Sequence, residues 1–275
     1  MKKTVLCLAV SVLLVVMLFF GRQARECGRV CTEVSQEMVQ HHNVEQLSKL
    51  RLKKLADLVT FGLYDGYEEF MADQKKLQQR RKRCREEGRM FLLWFAGASC
   101  LLLLLGFLAD SRQMTVVLSL AALIALAYGL STPILEMTIH KEIRYLGDVV
   151  LMAETRGVLG SIGQLYNDGQ YVVAGVLLLF SIVFPLLKTL SMLVAGLFLQ
   201  SRRMHGMVRF FKSLGKWSMA DVFVVATFLV YLSAGKADVS RAALLPGFYF
   251  FLIYVILSIL ASLSAERMLK GLESA

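Results

Sequence analysis

Six apolar runs alternate with polar stretches along the chain, at roughly 4–20, 91–109, 114–135, 170–199, 219–235 and 245–264. At about 1.5 Å per helical residue each run approaches or exceeds the ~30 Å hydrocarbon core of a bilayer. No water is present at that depth to satisfy backbone groups, so such runs fold as helices. The pattern predicts an all-α, polytopic integral membrane protein with about six transmembrane helices. Only two polar stretches are sizeable, 21–90 and 136–169, and neither is expected to carry a conventional soluble enzyme core.

The first run opens with Lys2 and Lys3, and its end, Phe19-Phe20-Gly21-Arg22, offers no small-x-small cleavage site. It is expected to remain as a signal anchor over 1–20. Segment 21–90 reads as helix, break, helix. Leu47, Leu50, Leu55 and Leu58 fall near one helical face, Phe61 to Gly66 interrupts, and a charged helical pattern resumes from Tyr67 to Arg89. An upright two-helix hairpin fits, as does a pair of basic helices lying flat on lipid. Cys27 and Cys31 are four apart beyond the first span, and Cys84 lies at a similar distance before the second. In an upright hairpin Cys84 is expected to pair with Cys27 or Cys31 in an oxidising compartment. Cys27-x-x-x-Cys31 and His41-His42 are poor metal signatures, and no metal site is expected.

The composition, 56% hydrophobic with mean hydropathy +0.58, agrees with the membrane assignment. The formal charge of +10 does not indicate nucleic-acid binding, because the basic residues flank apolar runs. Arg202, Arg203, Arg209, Lys212 and Lys216 share one short loop with no acid among them. The positive-inside bias makes that loop cytoplasmic. Parity then puts 136–169 and 21–90 outside, with 266–275 as a cytoplasmic tail. Arg80-Arg81-Lys82-Arg83 runs against this placement, although the charge bias is weak for segments beyond ~60 residues.

Lys188 lies three residues after Pro185, near the middle of the fourth run. An ammonium at bilayer depth costs at least ~2.5–3.5 kcal/mol, and the flank at Ser201 is too far for its stem to reach. The proline frees a carbonyl one turn upstream and is expected to bend the helix. Such a pair fits a polar cavity or a partner, or a structural lysine satisfied by the freed carbonyl. Thr132, Ser181, Lys188, Ser191, Thr227, Tyr231, Tyr254, Ser258 and Ser262 form the interior polar set of the last four runs. Most hydroxyls of this kind are helix-packing contacts. Ser218-Met219-Ala220-Asp221 is a Ser-x-x-acid capping box at the start of the fifth run, and Trp217 suits the interfacial belt. The sequence has no nucleotide loop, no nucleophile elbow and no paired intramembrane carboxylates. No catalytic residue, no cofactor and no enzyme activity are expected.

The order Ser131-Thr132-Pro133-Ile134, Gly157 to Ile162, Phe180 to Lys188, Lys216 to Val225 and Leu245 to Phe250 resembles the paraquat-inducible protein A family of bacterial inner-membrane proteins. The resemblance covers about 114–265 as one four-helix unit, preceded by a second span and turn over 91–113. Better-known members of that family carry two such units and cytoplasmic Cys-x-x-Cys zinc ribbons; this sequence has one unit and no ribbon. Tyr231 and Ser264 also depart from the family pattern. The likeness implies a multi-pass protein of the inner membrane that passes phospholipid to or from a periplasmic MCE-type partner. Lys188, Pro185, Tyr231, Thr132 and Ser181 would line the lipid path, and 136–169 would dock the partner; association between copies is left open. The contrasting reading is a non-transporting, tetraspanin-like scaffold for envelope integrity or stress response.

Overall fold

A computed structural model describes residues 2–41, 66–107, 110–143, 147–198 and 240–273. Helix α1 spans Lys2–His41 and runs from an apolar half into a polar half, whereas α2 spans Gly66–Phe107 and runs from a polar half into an apolar one. Helix α3 (Ser111–Ser131) follows, then strands β1 (Leu135–Ile143) and β2 (Gly147–Arg156) and helix α4 (Val158–Asn167). A long rod comprises α5 (Tyr171–Leu178), a π-helical turn over Leu179–Val183, and α6 (Phe184–Phe198). Strand β3 (Ser240–Leu244) leads into α7 (Pro246–Glu273). Among the described residues five stretches, Leu6–Glu37, Lys75–Gly106, Ser111–Ser131, Tyr171–Leu197 and Pro246–Met268, are long and apolar enough to cross a membrane. The membrane-crossing part is therefore a polytopic all-α bundle. The run at 219–235 lies outside the described residues, with the basic loop before it and Trp217, Ser218, Asp221 and Tyr231.

The third span is shorter than its apolar run. Thr132 is already extended (φ −104°, ψ 142°), because the residue before a proline is pushed out of the α region. At the same end of the bundle Pro246 opens α7, where its missing N–H costs nothing, and the Gly247 N–H bonds the Pro133 carbonyl at 3.1 Å. Residues 266–273 continue that helix.

The polar stretch after α3 holds an element absent from the hydropathy reading. β1 pairs antiparallel with β2 and, through Leu135–Ile139, with β3, in the order β2-β1-β3. A bulge interrupts the β1–β2 register between Ile139 and His140. The strands are too short and too mixed in polarity to register against apolar runs of bilayer length.

The core lies where α1, α2, α3 and α7 meet. Phe95, Leu102, Leu118, Leu126, Phe250 and Tyr254 are buried in it, and Phe95 meets Phe250 edge-on at 4.8 Å. Ala121, Ala122, Ala125 and Gly129 give α3 a narrow face, so α7 approaches closely; a Cβ at Gly129 would lie 3.1 Å from the Phe251 nitrogen. Without hydrophobic drive between helices in lipid, such small-residue contact supplies the packing. α1 and α2 run side by side and antiparallel, Phe20 stacking on Trp94 at 6.0 Å and Ser99 Oγ reaching Met17 Sδ at 3.8 Å. Tyr128 Oη donates to the Leu18 carbonyl at 2.9 Å and ties this pair to α3.

Candidate functional site

Pro185 cannot donate to the helical ladder, and the chain accommodates it by changing the ladder. The Phe184 N–H bonds the Leu179 carbonyl, five residues back, within a π turn. Such turns insert one extra residue into a helix and occur often at functional positions. The deformation is therefore a π turn ahead of the proline. Ser181 is buried in that turn, and one turn beyond Pro185 the Lys188 side chain is only 6% exposed.

Hydroxyls gather around the proline carbonyl. Thr189 Oγ1 donates to it at 2.7 Å, Tyr254 Oη donates from α7 at 3.3 Å, and the two hydroxyls lie 3.5 Å apart. Thr189 and Tyr254 are fully buried. Replacing Tyr254 by Phe should cost about 0.6 kcal/mol, the average for hydrogen bonds between membrane helices. A chemical-denaturation shift in detergent several times larger would show that the hydroxyl does more than bridge α6 and α7.

The depth of this cluster follows from contacts at the opposite end. Arg112 Nε and Nη2 donate to the Gly196 and Leu197 carbonyls at 2.9 and 2.8 Å, satisfying groups at the end of α6. Thr115 Oγ1 meets Ser264 Oγ at 3.0 Å, and Ser264 Oγ donates to the Ser111 carbonyl at 3.0 Å. These contacts mark one boundary of the bundle. At about 1.5 Å per residue Lys188 stands about 12 Å beyond Gly196, and Tyr254 about 15 Å beyond Ser264. Two independent helices thus set the cluster near the middle of a ~30 Å core.

Lys188, Pro185 and Ser181 share this part of the rod. Thr132 does not: it caps α3 at the far boundary, and its methyl carbon would lie 3.3 Å from a Cβ at Gly28. Among the described residues its buried hydroxyl, like those of Ser119 and Ser258, has no hydrogen-bond partner. Thr189 stands outside the polar set read from the sequence, although a hydroxyl four residues after a proline is placed to bond its carbonyl.

A second polar centre lies past that boundary. The Glu136 carboxylate, 2% exposed, accepts from Ser35 Oγ of α1 and from Arg81 Nη2 of α2, both at 2.8 Å. No local pattern in the sequence points to it, since the three residues sit in three separate elements. Their meeting brings the polar halves of α1 and α2 together with the start of β1. Cys27, Cys31 and Cys84 carry free thiols nearby.

No solved structure matches this chain. Over 86 residues it is 34% identical to the "Intermembrane transport protein PqiA" of Escherichia coli K12. The same figures hold for the proteins of that name from Escherichia coli O6:H1 and Shigella flexneri. These matches cover 28% of this chain and only 20% of each relative. The sequence profile described as "Paraquat-inducible protein A" matches residues 112–269, which takes in α3, the sheet, the π-turn rod and α7. With more than half of its 275 residues matched, the chain belongs to the paraquat-inducible protein A family.

Proposed function

We propose that this protein is an inner-membrane component of a pathway that moves lipid between bacterial membranes, exchanging phospholipid with a periplasmic MCE-type partner. The observation that carries the reading is Lys188, a cation enclosed near mid-depth one turn from a π-deformed helix. A fixed positive group at that depth compensates the phosphate of a headgroup drawn away from its own leaflet. Ser181 and Thr189 supply hydroxyls on the same rod. In this reading the sheet and α4 face the periplasm and receive the partner. The name borne by the curated relatives supports transport between membranes as the setting.

A photo-activatable residue at position 187, one before Lys188 and exposed in the isolated chain, tests the idea in native membranes. A phospholipid adduct is expected there that diminishes when Lys188 is replaced by Met. An adduct independent of Lys188 would reflect ordinary lipid contact and would favour the scaffold reading.

A further inference from the structure

We propose that Cys31 and Cys84 form a redox-modified pair, an oxidisable crosslink between α1 and α2 directly beneath the buried Glu136 contact. Sequence spacing alone leaves Cys27 and Cys31 equivalent as partners for Cys84. The packing of α1 on α2 separates them. Met17 meets Ser99, Phe20 meets Trp94, and Cys27 faces Gly88, in one steady antiparallel register. Continuing that register one turn beyond Cys27 and Gly88 sets Cys31 opposite Cys84. One turn further it sets Ser35 beside Arg81, and there both side chains hold the same Glu136 carboxylate at 2.8 Å. The Cys31–Cys84 level is thus bracketed by observed contacts above and below.

The helix spacing at this level suits a disulfide. A Cβ at Gly88 would lie 3.4 Å from Cys27 Cβ, close to the ~3.5–4.5 Å that separates the Cβ atoms of a disulfide. Cys27 has a glycine opposite it and so no thiol at its own level. Cys31 is buried and Cys84 is half-buried, and Cys84 neighbours both of the other cysteines. Among the described residues no group of three or more His, Cys, Asp or Glu side chains is arranged to hold a metal ion. At about 1.5 Å per residue Cys31 stands about 16 Å past Phe20, where the apolar half of α1 ends, and so beyond the hydrocarbon.

The chemistry is thiol–disulfide exchange with a small-molecule or protein disulfide as oxidant. One thiolate attacks the external disulfide and releases one thiol; the second thiolate then attacks the mixed disulfide and releases the other. Two thiols and one external disulfide become the Cys31–Cys84 bond and two external thiols. Oxidation joins α1 to α2 one turn from Ser35 and Arg81, and so restrains the two side chains that hold β1.

Full-length protein in detergent would be treated with oxidised glutathione, alkylated and mapped by non-reducing mass spectrometry. A peptide linking Cys31 to Cys84, with Cys27 alkylated, is expected. Cys27→Ser should keep that peptide and Cys31→Ser should lose it. A Cys27–Cys84 link in the wild type, or three alkylated cysteines after oxidation, would overturn the assignment without any variant being needed. Amide exchange in β1 should slow on oxidation; equal exchange in both redox states would refute the restraint on the sheet.

Discussion

Exchanging Lys188 for Met should abolish lipid transfer while the protein still inserts and accumulates. Methionine preserves an unbranched apolar stem at this buried position while removing the ammonium, so the helix packing is largely kept. Loss of one member of a buried charge pair costs about 2–5 kcal/mol, and the middle of that range is roughly 300-fold in affinity. Applied to a headgroup phosphate, the change leaves too little occupancy for measurable transfer. Lys188→Arg keeps the charge and should retain part of the activity, limited by the size and planarity of the guanidinium. The measurement is a membrane-barrier complementation assay, with the membrane-inserted protein quantified beside it. Full complementation by the Met variant would end the transport reading, and loss of the inserted protein would return Lys188 to a purely structural role.

The second large effect is expected at Glu136. Removing one partner of a buried ion pair typically destabilises by about 3–5 kcal/mol, because the other charge is left without compensation. Glu136→Gln keeps the shape and an acceptor for Ser35, yet it strands Arg81, which is 21% exposed. The loss should be local. Amide exchange should rise in β1 and in the outer halves of α1 and α2, while α3 and α7 remain protected. The double variant Arg81→Met, Glu136→Leu should recover much of that protection, since apolar side chains of similar volume often replace a buried pair without loss. If Glu136→Gln left exchange unchanged, the contact would contribute little to holding α1 and α2 against the sheet.

How much of this was readable beforehand depended on the range of the interactions involved. The bilayer imposes a length and a polarity on each span, so the spans are visible as runs, and the prolines at 133 and 246 mark helix ends by local sterics. Lys188 was conspicuous because a cation in an apolar run conflicts with its surroundings. The π turn was hidden, because proline is compatible with either a kink or an extra residue and the choice is made by packing. Glu136 was invisible for a different reason. Ser35, Arg81 and Glu136 are unremarkable in their own segments and gain meaning only when three elements converge. The strands were missed since their alternation spans fewer residues than a hydropathy window averages.

The extra residue in Leu179–Val183 also changes how the rod should be compared with its relatives. Helical residues advance by about 100° each, so a surplus residue swings everything on its far side by about that angle relative to an uninterrupted helix. A stripe drawn from Tyr171 straight through to Phe198 would join side chains that look in different directions. A relative with one residue fewer at this point would turn its outer half away from the direction taken here, even with every remaining amino acid identical. Insertions and deletions at that turn are therefore the changes to look for when two members of the family differ in what they accept.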